Sequence, residues 1–252
     1  MIDAATVRRR MGEAFADFRG PGVVARSEPG WWLILSSLAA ADANMALVHE
    51  ADPAALDEVV GLIGAQDVPA LLMLAGDAVP FGDGLGEGWA DVGGMPIMAR
   101  ELGSAREDAA PDPRVRPLGA DETALATRLI ADAYGIEDEV ARFFAANIAD
   151  PDVAMRGWVL EVDGAPVSFV ASHLALAGDA MSVWCMSTPP QHARRGHGRA
   201  LLAAVEAHAA AAGARTGLLG ATEAGYPLYE RMGWRTFEEW RIRLSGASEQ
   251  FG

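Results

Sequence analysis

With one cysteine, Cys185, in 252 residues the chain cannot close an internal disulfide. Five scattered histidines beside it cannot make a zinc-type cysteine–histidine spacing, so a structural zinc module or other metal site is not expected. Positive charge is scarce as well. Twenty basic side chains stand against 35 acidic ones, a formal charge of -15, which argues against broad electrostatic binding to nucleic acid or to an anionic membrane. The same excess is compatible with a cationic substrate such as an amine, and also with acidity that serves solubility alone. Long apolar runs are missing: Trp31 to Ala41 and Ala200 to Ala212 are too short or too interrupted to span a bilayer. No apolar stretch follows Met1, Asp3 and Arg8 to Arg10, so no secretory signal is expected. Together these absences point to a reducing, cytoplasmic setting, with no nucleic-acid or membrane partner and with homo-oligomerisation left open.

What is present is globular. Apolar residues make up 51% and charged residues 22%, and the length suits two small domains or one large one. Val7, Met11, Phe15 and Phe18 recur at helical spacing. Strand-like runs follow at Trp31–Leu35 and Met45–His49, then a helix from Pro53 to about Ile63 capped by Asp52, and a strand at Pro69–Leu74. A β-like stretch runs from Gly88-Trp89 to Met98. The polar, proline-bearing segment Ser104–Pro113 reads as a linker. Beyond it come a strand near Val115, a helix capped by Asp121, and a second helix through Val140, Phe143, Phe144 and Ile148. A hairpin then turns at Asp163-Gly164, followed by a strand at Met181–Ser187. The alanine-rich helix Gly198–Ala212 stops at Gly213, ahead of a strand at Thr216–Leu219, a helix over about 224–232 and a last strand at Thr236–Leu244. This pattern is of the α/β (α+β layered) class: a mixed sheet flanked by helices, with a smaller α/β N-terminal domain. The expected boundaries are 1–103, a linker 104–113, 114–245 and a tail 246–252. Gly88, Trp89, Val92, Met95 and Ile97 line up at constant offset with Gly233, Trp234, Phe237, Trp240 and Ile242. Either the first half is a worn copy of the second, or two terminal strands are alike by chance.

The most informative stretch runs from Thr188 to Leu202. A strand ends, Pro189 and Pro190 forbid its continuation, and a turn holding Arg194, Arg195, Gly196, His197, Gly198 and Arg199 leads straight into a helix. That order presents backbone N–H groups at the positive end of a helix dipole. Two glycines let a diphosphate approach the main chain, and the arginines add charge at the rim. In a chain this acidic, the cluster stands out as a local anion site.

Ser187–Leu202 resembles the cofactor loop of the GNAT superfamily of N-acetyltransferases, whose signature is Arg or Gln, two residues, Gly, one residue, then Gly or Ala. Gly196 and Gly198 match; Ala193 stands where the family usually has Arg or Gln, a loss that Arg194 or Arg195 is expected to compensate. Ala221–Arg235, with Leu228-Tyr229 and Gly233-Trp234, resembles the family's closing helix and Gly-aromatic turn. The resemblance covers Val115 to Leu244. It implies a twisted sheet that splits between the Met181–Thr188 and Thr216–Leu219 strands. The pantetheine arm of acetyl-CoA would lie in the gap, paired with the backbone of Met186, Ser187 and Thr188, and its pyrophosphate would be held by residues 194–199. It further implies acetyl transfer to a primary amine of a small molecule or peptide, by direct attack in a ternary complex, with Tyr229 near the sulfur as general acid.

Such chemistry needs an amine free of its proton, a stabilised oxyanion and a protonated leaving thiolate. Some relatives place a glutamate at the position that is Gly217 here, so that base is missing; Glu223, Glu161, His173 and a water chain remain. Cys185 is expected to be a buried inert thiol rather than a nucleophile, and the tryptophans (Trp31, Trp32, Trp158, Trp184, Trp234, Trp240) to supply core area. Gly82–Gly88 is glycine-rich but lacks a basic residue, so the first half is not expected to bind the cofactor. The rival reading is an acyl-CoA-binding sensor or scaffold that does not catalyse.

Overall fold

The structure, a computed structural model, describes residues 2–103 and 112–246. Along the chain come α1 (Ala4–Glu13), β1 (Val24–Glu28), β2 (Trp31–Leu35), β3 (Asn44–Val48), α2 (Pro53–Gly64), β4 (Leu71–Leu74) and β5 (Trp89–Glu101). After the segment outside the described residues follow β6 (Val115–Pro117), α3 (Thr123–Tyr134), α4 (Asp138–Ala149), β7 (Arg156–Val162), β8 (Ala165–Leu174) and β9 (Ala180–Ser187). The chain closes with α5 (His197–Ala211), β10 (Thr216–Gly220), α6 (Tyr226–Arg231) and β11 (Arg235–Ser245). Most of the expected linker, residues 104–111, and most of the expected tail, 247–252, lie outside the described residues.

Two compact units result, and they are not the contiguous stretches 1–103 and 114–245. Among the described residues the first comprises 2–97 and 236–246, the second 98–103 and 112–235. Backbone pairing explains the difference: Arg241–Leu244 of β11 pair antiparallel with Leu74–Leu71 of β4, so the last strand completes the first unit. The end of β5 goes the other way; Leu102 donates its N–H to the Arg215 carbonyl at 2.8 Å, inside the second unit.

In the first unit the strand order is β1-β2-β3-β4-β11-β5. All five residues of β2 are buried, because the strand is covered on both faces. Trp31, Leu33 and Leu35 join Val59 and Ile63 of α2 in one core, while Trp32 meets Phe15, just past α1, with ring centres 5.8 Å apart. The helix starts obey local rules: Asp3 accepts from the Thr6 N–H, and Asp52 accepts from the Ala54 N–H, both at 2.9 Å. Strand β1 had no clear signal in the sequence; its residues are half-buried or exposed and lack an apolar alternation.

In the second unit β6, β7, β8 and β9 pair antiparallel in sequence, and β10 joins β9 in parallel. Leu201, Leu202, Val205 and Ala209 of α5 pack on Leu160, Val170, Met181 and Leu219 of the sheet. The expected cap Asp121 is displaced by one residue: Glu122 holds the cap position of α3, and its carboxylate turns back to the Gly119 N–H at 2.7 Å. The two units share a sub-plan: an antiparallel pair, a crossover helix, then a parallel strand. It is β2-β3-α2-β4 in one and β8-β9-α5-β10 in the other.

Candidate active site

Strands β9 and β10 separate part-way along. Thr216 to Leu219 pair with Ala180 to Val183, and there the register ends, although β9 continues to Ser187 beside β8. A bulge accompanies the split. Between the pairs Ala171–Trp184 and Phe169–Ser187 strand β9 carries one extra residue, and Cys185 takes a left-handed conformation with φ of 49°. The Cys185 residue is half-buried overall, but its thiol is enclosed, and burial pushes it up to about 12. It is therefore a thiol, not a thiolate, at neutral pH.

Past Ser187 the two prolines end the strand and a short 3-10 turn, Pro190–His192, redirects the chain. Arg194 and Gly196 both adopt left-handed backbone, at φ of 62° and 81°. Turns of this kind direct successive N–H groups into one concavity. Gly196 caps α5 and has no side chain to bond the helix start. The Gly196 carbonyl accepts from Ala200 at 3.0 Å, so the amides of His197, Gly198 and Arg199 precede the first intrahelical bond and point outward. A Cβ on Gly196 would meet nothing within 4 Å, whereas one on Gly198 would lie 3.1 Å from Met186 Cε and 3.4 Å from Thr188 Oγ1. One glycine thus keeps the space over the helix start open, and the other lets α5 close on the end of β9. Arg194, Arg195 and Arg199 are exposed and form no ion pair among the described residues. His197 is held below its ordinary value, first by burial and then by the positive charges of Arg114, Arg195 and His192. The surroundings of this helix start are electropositive in a strongly acidic chain.

Tyr229 lies on α6 and is only 6% exposed. Burial pushes its phenol up to about 12, and its hydroxyl bonds no described residue. Beside it stands Trp234, wholly buried, with ring centres 6.2 Å apart. The indole covers Gly217 of β10: a Cβ there would come within 2.7 Å of the ring. The missing side chain at 217 is therefore replaced by an aromatic wall, and a glutamate has no room.

Sequence comparison matches residues 154–236 to the acetyltransferase (GNAT) domain family. The C-terminal half contains a GNAT acetyltransferase domain. Over the whole chain, the fold is similar to that of a GCN5-related N-acetyltransferase from Kribbella flavida, with a TM-score of 0.61, 21% identity and 95% of each chain covered. It is also similar to a protein assigned to the GNAT family from Novosphingobium aromaticivorans, at TM-score 0.64, 17% identity, and 97% and 99% coverage of the two chains. Saccharomyces cerevisiae N-myristoyltransferase, crystallised with myristoyl-CoA, aligns at TM-score 0.53 and 14% identity over 77% of this chain and 56% of its own. The chain as a whole thus resembles a double GNAT fold, in keeping with the repeated sub-plan of its two units. No curated protein is significantly similar in sequence.

Within the GNAT domain the residues at the end of β9 have partners of their own inside the unit. Ser187 turns inward: its carbonyl accepts from Ser168 Oγ at 2.9 Å and its own hydroxyl donates to the Cys185 carbonyl at 2.8 Å. Its carbonyl and hydroxyl are thus engaged inside the unit, where the bulge sets it opposite Phe169 of β8. The Met186 carbonyl accepts from Tyr134 Oη at 3.1 Å. Thr188 Oγ1 lies 2.8 Å from Ser168 Oγ, so one buried serine fixes both residues that open the loop. Neither Tyr134 nor Ser168 carries a sequence motif; only the pairing of β8 with β9 and the packing of α3 bring them here.

Two base candidates are removed by their neighbours. Glu161 is bound by the Arg116 guanidinium at 2.8 and 2.9 Å, and Arg116 is shared with Glu122. His173 is 1% exposed and lies opposite Ser182, three strand residues, roughly 10 Å, before Cys185 at the bulge. Glu223 sits exposed in the β10–α6 loop. Among the described residues no group of His, Cys, Asp and Glu could hold a metal, and no helix is long and apolar enough to cross a membrane.

Proposed function

We propose that this protein transfers an acetyl group from acetyl-CoA to a primary amine of a small molecule or peptide, by direct attack in a ternary complex, in a cytoplasmic setting. The observation that carries this reading is the uncapped start of α5, with its three outward amides and arginines that pair with no carboxylate among the described residues, set beside the split between β9 and β10. A pyrophosphate fits there by charge and by space. Gly196, His197, Gly198 and Arg199 would meet it with backbone or side-chain donors, Arg194 and Arg195 would screen its charge, and Met186 and Thr188 border the gap for the pantetheine arm. When bound, acetyl-CoA supplies an activated thioester.

The remaining work falls to the chain's own residues. Tyr229 keeps its proton throughout the neutral range, because burial disfavours the phenolate, and its unengaged hydroxyl is available to a leaving sulfur. A strand-end N–H near Met186–Thr188 serves the developing oxyanion. Glu223 is the remaining named carboxylate with solvent access for taking up the amine's proton, directly or through water.

The first unit supports a supporting role rather than a second active centre. Its strands β3 and β4 pair to the last residue, Val48 with Leu74, and the Ala75 N–H extends the ladder to the Val48 carbonyl at 3.1 Å. Its crossover helix α2 is closed by its own Asp52, and Pro53 removes one donor. One coenzyme per chain is therefore expected in calorimetry. The rival reading, a non-catalytic acyl-CoA sensor, draws on the aromatic wall over Gly217 and on the engagement of Glu161.

Thiol release from acetyl-CoA, followed with a panel of amines, separates the two. All 20 basic residues are arginines, so acetylation of the chain's own lysine side chains cannot produce a background signal. Amine-dependent release supports the transferase; binding with no release on any amine supports the sensor.

The pH dependence follows from His197. Its folded value lies below the ordinary one, so as pH falls the unfolded chain takes the proton first; stability from this group is full above the ordinary value and is lost as pH drops through it. A bound dianion favours the imidazolium and opposes that shift. Coenzyme A binding near pH 6.5 should therefore take up more proton in the wild type than in His197→Gln, measured by calorimetry in buffers of different ionisation enthalpy. Equal uptake in both would separate His197 from the diphosphate.

A further inference from the structure

We infer that Glu206 and Trp234 act as a positioning pair that holds the Tyr229 ring in its working orientation. The inference rests on the reading of Tyr229 as proton donor, but its geometry is independent of that reading. Helix α6 is only six residues long and is followed, after Met232, by Gly233 in left-handed backbone at φ of 88°. The Gly233 N–H bonds the Glu230 carbonyl at 3.0 Å and the Trp234 N–H bonds the Tyr229 carbonyl at 3.1 Å, the two bonds of a Schellman closure. That closure fixes the main chain of Tyr229. It leaves the ring free to turn about its side-chain torsions unless something packs against it.

Two neighbours do. Gly225 lies on one side, where an added Cβ would come within 2.9 Å of Tyr229 Cε2, and the Trp234 indole lies on another. The indole is itself oriented by a directional bond: its Nε1–H donates to Glu206 Oε1 at 2.9 Å. The other carboxylate oxygen, Oε2, accepts from Arg100 Nη1 at 2.7 Å. Glu206 sits on α5, 7% exposed, among the apolar residues that pack on the sheet. A carboxylate so placed is a poor source of stability, since desolvation offsets its pairing, whereas a buried hydrogen bond specifies geometry. Here the geometry specified is that of the indole, which walls both Tyr229 and the position of Gly217. The order of dependence is Arg100 to Glu206 to Trp234 to Tyr229, and only the last member reaches the reacting atoms.

The test is thiol-release kinetics of Trp234→Phe, Glu206→Leu and Glu206→Gln, each alone and with Tyr229→Phe. Trp234→Phe keeps a ring and the Schellman bonds but loses the indole donor; Glu206→Leu loses the acceptor; Glu206→Gln keeps it. We expect the first two to lower kcat at least fivefold with the KM for acetyl-CoA within twofold, Glu206→Gln to recover most of the rate, and none to cost anything further once Tyr229 is Phe. An equal cost in both backgrounds, or a Gln variant as slow as the Leu variant, overturns the proposal. A second readout needs no turnover. In protein labelled with carbon-13 at its three tyrosines, with the Tyr229 signal assigned by its loss in Tyr229→Phe, Glu206→Leu should move that signal, leave those of Tyr134 and Tyr226 in place, and Glu206→Gln should restore it. An unmoved Tyr229 signal overturns the positioning claim. Absence of thiol release by the wild type would overturn the transferase reading instead, and the spectra would still decide this one.

Discussion

Replacing Tyr229 by phenylalanine is expected to lower turnover at least tenfold, about 1.4 kcal/mol of transition-state stabilisation, while the affinity for acetyl-CoA stays within twofold. The split between the two effects follows from the surroundings of the residue. Its ring is packed against Trp234 and Gly225, and phenylalanine preserves that packing, so the cavity and the neighbouring gap should not change. Its hydroxyl makes no hydrogen bond to a described residue, so removing it strands no buried partner and little stability is lost. What disappears is a proton held ready in a low-dielectric site. Because burial raises the phenol to about 12, that proton is retained through the whole neutral and mildly alkaline range, and this group should produce no alkaline fall in kcat below about pH 10. The same shift has a stability sign: the unfolded chain ionises its tyrosine first as pH rises past the ordinary value, so the contribution from Tyr229 is present below it and is lost above it. Steady-state kinetics with calorimetry on the same preparation checks the prediction. Unchanged kcat would remove Tyr229 from the mechanism.

Gly196→Glu should weaken coenzyme A binding at least a hundredfold, about 2.7 kcal/mol. The residue stands at the one place where a carboxylate would face the amides of His197, Gly198 and Arg199 and occupy the space a diphosphate needs. Two costs must be separated. Any side chain at φ of 81° carries a backbone penalty of roughly 1–2 kcal/mol, and glutamate adds charge and bulk. Gly196→Ala carries the first cost alone, and an added Cβ meets nothing within 4 Å, so both variants should fold with a melting temperature only a few degrees lower. Alanine is expected to bind within about fivefold of wild type. If glutamate bound as tightly as alanine, the helix start would not be where the anion rests.

The loop from Pro189 to Ala200 was readable from residue types because each one acts locally. Two prolines stop a strand, glycine takes left-handed backbone at Gly196, and a following alanine-rich run makes a helix. Asp52 at the start of α2 was readable for the same reason. Asp121 was not, although it has the right residue type, because Arg116 and the Gly119 amide draw Glu122 into the cap position and shift the helix start. A local rule gave way to a network assembled from another strand.

Larger misplacements come from pairing between distant segments. The expectation of contiguous domains took the chain's last strand to belong with what precedes it, whereas β11 lies on β4, some 170 residues earlier, as the bond from Ala70 N–H to Ser245 Oγ, 175 residues apart in sequence, illustrates. The family resemblance implied that backbone groups of Ser187 meet the pantetheine arm; the bulge at Cys185 sets the residue opposite Phe169 of β8, where its carbonyl accepts from Ser168 Oγ. The duplication that five aligned positions left open has its counterpart in the repeated hairpin, crossover helix and parallel strand of the two units.

The sequence by itself determined the glycine- and arginine-bearing turn before α5, the order of helices and strands around it, and the family to which residues 154–236 match. Those features depend on backbone conformation over a few residues, which side-chain type controls directly. Only the tertiary structure decided which groups surround Gly217, Thr188 and Glu161. The indole over Gly217, the carboxylate of Glu206 behind it, the serine beneath Thr188 and the arginine that takes Glu161 come from separate strands and helices, and their meeting depends on register and packing that no short stretch encodes.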